Sequence, residues 1–205
     1  QIPMYLAFAA LALFTIYAVV FITEAERPIP VTYAKRMRGN KVYGGVSTYL
    51  PLRLNQAGVI PIIFALSLLL FPQMILNFIT TSVSNPTVAT VSEKILALLA
   101  NNWIYAGLYF VLVFLFTYFY TAVTFDPKQI SENLQKNGAF IPGVRPGVST
   151  AEHIGKVVTR ITLVGALFLG LIAVLPLIIR ALSGIQSLAI GGTALLIVVS
   201  VVIDL

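Results

Sequence analysis

Long apolar runs alternate with polar connections along the chain. Four runs, Met4–Thr23, Ala57–Thr80, Trp103–Phe125 and Ile161–Leu182, are long enough to cross the ~30 Å hydrocarbon core of a bilayer, which takes about 20 residues of helix. A fifth, from Leu188 through Ile203 to the end of the chain, is shorter. The pattern predicts an all-α, polytopic membrane helix bundle with spans at about 4–23, 57–80, 103–125, 161–182 and 188–205. Two polar connections, 24–56 and 126–160, fall on one side of it.

The second connection carries the strongest local signals. Asp126-Pro127 supplies an N-cap carboxylate followed by proline at the first helical position, and Gly138 follows Asn137 where a terminating glycine is wanted, so a helix is expected from about Pro127 to Asn137. Next comes Ala139-Phe-Ile-Pro-Gly-Val-Arg-Pro-Gly-Val148. Its two Pro-Gly pairs, Pro142-Gly143 and Pro146-Gly147, are turn signals that hold Arg145 between them on a shaped loop. Ser149-Thr150-Ala151-Glu152 has the capping-box pattern, and no proline intervenes before Ile161. One helix is therefore expected to start in water and enter the membrane. The plainer alternative is an ordinary connector between helices.

In the first connection, Val31–Met37 and Lys41–Leu50 are rich in β-branched residues and tyrosine and flank Arg38-Gly39-Asn40. That predicts a short two-stranded ribbon with a basic tip. The tip could dock phosphates of RNA, acidic protein or anionic lipid, or its charges could serve topology alone.

Among the spans, the first reads as a scaffold without ionisable side chains. The second carries Pro61, Ser67, Pro72, Gln73 and Asn77 and reads as a candidate moving part. The third is crowded with aromatics and hydroxyls from Thr117 to Thr124, suiting an interfacial belt or a wetted face. The fourth has a small-residue stripe, Ala166, Gly170 and Ala173, fit for close helix packing. The fifth starts at Gly191-Gly192-Thr193, where glycine permits a bend or close contact.

Composition agrees with the pattern. Hydrophobic residues make up 59% of the 205 and charged ones 10%, with a mean hydropathy of +0.95, whereas soluble domains carry about 25% charged residues. The net charge of +6 is unevenly placed. Arg27, Lys35, Arg36, Arg38, Lys41 and Arg53 lie in the first polar connection, and Lys128, Lys136, Arg145, Lys156 and Arg160 in the second. Only Lys94 and Arg180 of the 13 cations lie in the other connections. The positive-inside rule puts both basic connections in the cytoplasm, the N-terminus outside and Asp204 inside. Because the chain opens with Gln1-Ile-Pro and stops within an apolar run, it reads as a piece of something longer.

The sequence argues against catalysis. It has no cysteine, no phosphate-loop motif and one histidine, His153, without a metal-spaced partner, so neither a metal nor a cofactor is expected. No Asp, Glu, Lys or Arg lies mid-span, where ion-coupled pumps usually place one.

Four segments together resemble bacterial SecY, the channel subunit of the Sec protein-conducting translocon. They are Pro30-Val-Thr-Tyr-Ala-Lys-Arg36, Leu50-Pro-Leu-Arg-Leu-Asn-Gln-Ala-Gly-Val-Ile-Pro-Ile-Ile-Phe-Ala65, Asn133-Leu-Gln-Lys-Asn-Gly-Ala-Phe-Ile-Pro-Gly-Val-Arg-Pro-Gly147 and Gly191-Gly-Thr-Ala-Leu-Leu-Ile-Val-Val199. The resemblance covers essentially the whole chain. It implies the last five helices of a pseudo-symmetric ten-helix clamshell, residues 1–205 being its C-terminal half. Ile63 and Ile197 would lie on the pore ring. Asn55, Gln56, Ser67 and Thr121 would belong to the lateral gate. Arg145, Lys35, Arg36, Arg38 and Lys41 would meet the SecA ATPase or the ribosome. The ribbon tip departs from the family by reading Gly39-Asn40-Lys41 where two adjacent basic residues are common. Implied partners are the N-terminal half of the same channel, SecE and SecG, signal sequences and nascent polypeptides, and membrane lipid, in a bacterial cytoplasmic membrane. The residues by themselves also admit a structural membrane subunit or half of a facilitator transporter.

Overall fold

The structure is a computed structural model that describes residues 2–34, 36–38, 41–43, 45, 47–58, 60–82, 86–183, 194, 197, 198 and 201. Its described elements are helix α1 (Ile2–Glu24), strands β1 (Glu26–Tyr33), β2 (Arg36–Arg38), β3 (Lys41–Tyr43) and β4 (Ser47–Arg53), and helices α2 (Ile60–Ser82), α3 (Pro86–Ala100), α4 (Asn102–Thr124) and α5 (Pro127–Lys136). Strand β5 (Ala139–Phe140) and helix α6 (Val148–Ser183) complete them.

Three helices, α2, α4 and α6, are long and apolar enough to cross a membrane, and in α1 the described apolar segment is Ala12–Glu24. The expected second, third and fourth spans fall on α2, α4 and α6. Of the fifth, residues 194, 197, 198 and 201 have helical backbone, while Gly191, Gly192 and Thr193 lie outside the described residues. The polar start of α6 and its apolar continuation form one uninterrupted helix, as Ser149 to Ile161 led us to expect. Helix α3 is an element that the hydrophobic pattern did not announce. It packs beside α2 and α4 and buries Ser92.

The apolar core lies around α4. Ala106, Tyr109 and Val113 of α4 meet Ile62, Ala65 and Leu69 of α2 on one side and Leu169, Ala173, Val174 and Leu177 of α6 on the other. Helix α1 joins through Val19 and Ile22 against Ile172 of α6. The stripe of small residues does the expected job: Ala166 and Ala173 are fully buried, and a Cβ at Gly170 would come within 2.8 Å of the Phe110 ring. Pro61 lies in the first turn of α2, where a missing N–H costs nothing, whereas Pro72 and Pro176 lie inside helices that continue past them.

A second core stands at the polar end. Ile29, Val31 and Leu52 of the sheet, Ala139 and Ile141, and Ile154, Val158 and Ile161 of α6 pack together, with Ile130 and Leu134 of α5 at their edge. The two polar connections are thus one folded unit.

Candidate functional site

That unit is built on a three-stranded antiparallel sheet in the order β4-β1-β5. Strand β1 pairs with β4 over Glu26↔Arg53 through Thr32↔Ser47, so the ribbon is longer than the sequence suggested. Side chains alternate across a strand. Ile29 and Val31 accordingly face the core with Leu52, while Pro28, Pro30 and Tyr49 face outward. The third strand comes from the other connection: Thr32 pairs with Phe140 and Tyr33 with Ala139, and the Ala34 amide donates to the Gly138 carbonyl at 2.9 Å. In the same alternation the Ala25 carbonyl accepts from Leu54 N on the β4 side, so the nitrogens of Pro28 and Pro30 face the β5 side. Those two positions have no N–H to offer, which confines β5 to the last residues of β1. Beyond this sheet, β2 and β3 pair as a hairpin, Arg38 opposite Lys41. Lys35, Gly39 and Asn40 lie outside the described residues, as do the side chains of Arg36, Arg38 and Lys41.

The Arg145 loop is held from both ends. Asp126 caps α5 by accepting from Lys128 N at 2.9 Å and Gln129 N at 3.4 Å. After Gly138, at φ +67, the chain enters β5. The Val144 amide then donates to the Ile141 carbonyl at 3.1 Å across Pro142 and Gly143, and Gly143 has φ +85. Proline second and a left-handed glycine third make a type II turn. At the second pair, Gly147 has φ +101 and its carbonyl accepts Thr150 N at 3.0 Å, Ala151 N at 3.2 Å and the buried Ser131 hydroxyl of α5 at 2.6 Å. The Thr150 hydroxyl donates to the Arg145 carbonyl at 2.9 Å.

This arrangement corrects one expectation. Helix α6 starts at Val148, so Ser149 and Glu152 are inside it and no capping box opens it. Gly147 already takes the first amides, and Thr150 is turned toward Arg145. The backbone of Arg145 is therefore fixed while its side chain is exposed, with no hydrogen bond or ion pair among the described residues. Beside it, Asp126, Lys128, Glu132, Gln135 and Glu152 line a groove of about 850 Å³ between α5 and α6.

The remaining expected residues are spread over the bundle. Ile63 is 39% exposed on α2, on the side away from buried Ile62 and Ala65, and its carbonyl accepts from the exposed Ser67 hydroxyl at 2.8 Å. Ile197 has helical backbone and is half-buried. Asn55 is buried ahead of α2, donating from Nδ2 to the Gly58 carbonyl at 3.0 Å while its Oδ1 has no partner among the described residues. Gln56 Nε2 donates to the Arg53 carbonyl at 3.3 Å. Thr121 is not brought to Ser67. It is buried with Val158 and Thr162 of α6 around a cavity of about 220 Å³, and its hydroxyl donates to the Thr117 carbonyl at 2.8 Å. What faces α2 instead is an aromatic seam, Phe64 lying 6.2 Å from Phe116 and 5.4 Å from Tyr120 between ring centroids. The i, i+4 spacing of Phe116 and Tyr120 was the available signal for it.

The SecY family model matches residues 1–205. The protein translocase subunit SecY of Mycobacterium tuberculosis is 46% identical over 203 residues, covering 97% of this chain and 46% of that protein. The corresponding subunit of Thermotoga maritima is 43% identical over 196 residues, 96% of this chain and 43% of the relative. That of Thermus thermophilus is 47% identical over 202 residues, 98% and 44% respectively. The chain thus spans a little under half the length of these relatives. Apolar helices packed through small residues, a polar unit made from two separate connections, and a match along the whole sequence lead to one conclusion: the chain belongs to the SecY family and is a multi-pass helical membrane protein.

Proposed function

We propose that residues 1–205 are the C-terminal half of a protein-conducting channel subunit, the part of a ten-helix pore that follows its midpoint. In this reading unfolded polypeptides cross the membrane through the channel, and apolar segments leave it sideways into lipid. The protein is a conduit and not an enzyme. The single observation that carries the reading is the match to the SecY family over the full chain, with relatives named as translocase subunits.

Each region then has a task. Ile63 and Ile197 belong to a ring of apolar side chains that excludes water and ions when the channel is empty yet grips no passing sequence strongly. Helix α2, with Asn55, Gln56 and Ser67 along or before it, is the moving wall of the lateral gate, and the seam of Phe64, Phe116 and Tyr120 couples it to α4. Both basic connections face the cytoplasm of a bacterial cell, where Arg145 and the ribbon tip with Lys35, Arg36, Arg38 and Lys41 dock the SecA motor or the ribosome. SecE, SecG and the N-terminal half of the channel complete the assembly around the exposed apolar faces of α1 and α2.

The test is polar substitution in the ring. Ile63→Asn and Ile197→Asn in the full-length protein should make the empty channel conduct ions in planar bilayers and accept weaker signal sequences, because a polar group favours a wetted constriction. Unchanged conductance and unchanged signal stringency in both variants would refute the pore assignment.

A further inference from the structure

The corner where β1 meets α6 carries charge that the docking surface does not use. Arg27 of β1 and His153, Lys156 and Arg160 of α6 converge with Val157 on a groove of about 310 Å³. Positions 153, 156 and 160 share one face of the helix, and by the same 3.6-residue period that face continues through Leu163, Val164, Leu167 and Leu171. All four are exposed, while Ile154, Val158 and Ile161 on the other side are buried against the sheet. Charge on the stripe stops at Arg160 and apolar surface begins within one turn of it.

Three further facts bear on what fills this corner. Among the described residues Arg27, Lys156 and Arg160 have no ion-pair partner, and Glu26, next to Arg27, is held by Arg53 at 3.5 Å. No carboxylate lines this groove among the described residues; Glu152 lines the adjoining groove of about 400 Å³ with Lys156 and Arg160, and the α5–α6 groove beyond it. Arg27 follows closely on the end of the apolar helix α1, at Glu24.

We propose that this corner is a binding site for an anionic phospholipid, its phosphodiester held by Arg27, Lys156 and Arg160 with His153 as a further polar neighbour, and its acyl chain lying along Leu163, Val164, Leu167 and Leu171. Long basic side chains at a helix end reach to the headgroup layer while their stems stay apolar. From Arg160 to Leu171 the helix rises roughly 17 Å, about half of a ~30 Å hydrocarbon core and so the depth of one leaflet. An acidic protein segment or RNA would satisfy the cations but leave the apolar track unused. A lipid satisfies both, and that continuity selects it.

The experiment titrates the full-length protein in detergent with phosphatidylglycerol or phosphatidylcholine and counts bound lipid by native mass spectrometry. Wild type should retain phosphatidylglycerol preferentially. One basic residue near an anionic surface contributes enough that Arg27→Gln, Lys156→Gln or Arg160→Gln alone should weaken phosphatidylglycerol about fivefold, and the triple variant on the order of a hundredfold, with phosphatidylcholine unaffected. Lys128→Gln with Lys136→Gln, removing exposed α5 cations elsewhere in the same unit, should leave lipid binding as in wild type. Melting temperature in the same detergent checks folding, and the three single variants carry the test if the triple one misfolds. Wild-type affinity in the triple variant, or an equal loss in the α5 control, would overturn the site. Displacement of the lipid by equimolar glycerophosphate would make it a site for free phosphoesters and overturn the lipid assignment. So would retention of lipid by a triple variant that has lost a co-purifying acidic protein.

Discussion

The two polar connections carry almost the same number of cations, six in 24–56 and five in 126–160, yet they are ordered in different ways. The first is a ribbon whose base packs on α6 and whose β2–β3 hairpin, among the described residues, pairs only with itself. The second is pinned throughout, by the Asp126 cap, by two Pro-Gly turns and by the Ser131 hydroxyl buried against the Gly147 carbonyl. Charge count sets which side of the membrane a connection takes. Backbone order sets whether one of its cations can be presented at a fixed point.

The sharpest way to break that contrast is at Arg145. A planar guanidinium on a fixed backbone can make a charge-assisted contact worth roughly 1.5–3 kcal/mol, or about ten- to a hundredfold in affinity. Reversal adds repulsion, so Arg145→Glu should abolish SecA-driven export in reconstituted vesicles while yield and melting temperature stay those of wild type. Lysine keeps the charge without the fork and should fall between. Because the Arg145 side chain bonds no described residue, loss of stability in step with loss of export would show that the fixed loop is scaffold and not contact.

A smaller effect is expected where the two connections are welded to α6. A Cβ at Gly165 would stand 2.5 Å from the Leu54 carbonyl oxygen, a backbone atom that can move only by shifting the ribbon's base. Gly165→Ala should lower stability by about 1–3 kcal/mol and displace the ribbon from the Arg145 loop. Gly155→Ala is the control. Its Cβ would meet Pro127 at 3.7 Å, an ordinary contact, so the helix-propensity gain of roughly 0.5–1 kcal/mol should prevail. Thermal unfolding in detergent compares the two, and equal losses would remove the close approach as the cause.

These residues also mark how far the sequence could be read. Helix α5 was expected from Pro127 to Asn137 and runs Pro127–Lys136, because cap, proline and glycine act within the segment itself. The turns around Arg145 were legible for the same reason. Strand β5 was not: two residues, Ala139 and Phe140, have no pattern of their own and become a strand only because β1, more than a hundred residues earlier, has free backbone beyond Pro30. The capping-box motif misled because Gly147 already supplied the acceptor. The resemblance assigned Thr121 to the gate, and only the structure shows that its helical phase turns it into the α4–α6 interface. Gly165 carried no signal without knowledge that Leu54 crosses it.

At the ribbon tip the expected effect is smaller and depends on salt. Lys41→Glu with Arg38→Glu should reduce motor or ribosome binding several-fold at low salt, since unpaired charge attraction acts over a Debye length of ~10 Å at 0.1 M and fades as salt rises. Binding measured at 50 and 500 mM salt separates the two connections: the tip effect should vanish at high salt while that of Arg145→Glu persists. A tip effect that survives high salt would place a formed contact there and erase the contrast.

The smallest effect concerns what sets the ribbon's base. Glu26 and Arg53 are opposite in register and 3.5 Å apart, but their side chains are 40% and 63% exposed. Water competes for both groups, and holding two long side chains costs entropy, so such pairs usually contribute ~0.2–1 kcal/mol. The backbone around them is already closed by Leu54 N donating to the Ala25 carbonyl at 2.8 Å, and Leu52 beside Arg53 is buried in the core. The pair therefore decorates a register that the ladder and Leu52 impose. A double-mutant cycle of Glu26→Gln and Arg53→Gln should give a coupling energy at the low end of that range, lost in high salt, with neither variant changing export. Coupling well above 1 kcal/mol would mean the ion pair holds the ribbon as firmly as the buried Ser131–Gly147 bond holds the other connection, and the difference in order between them would need another origin.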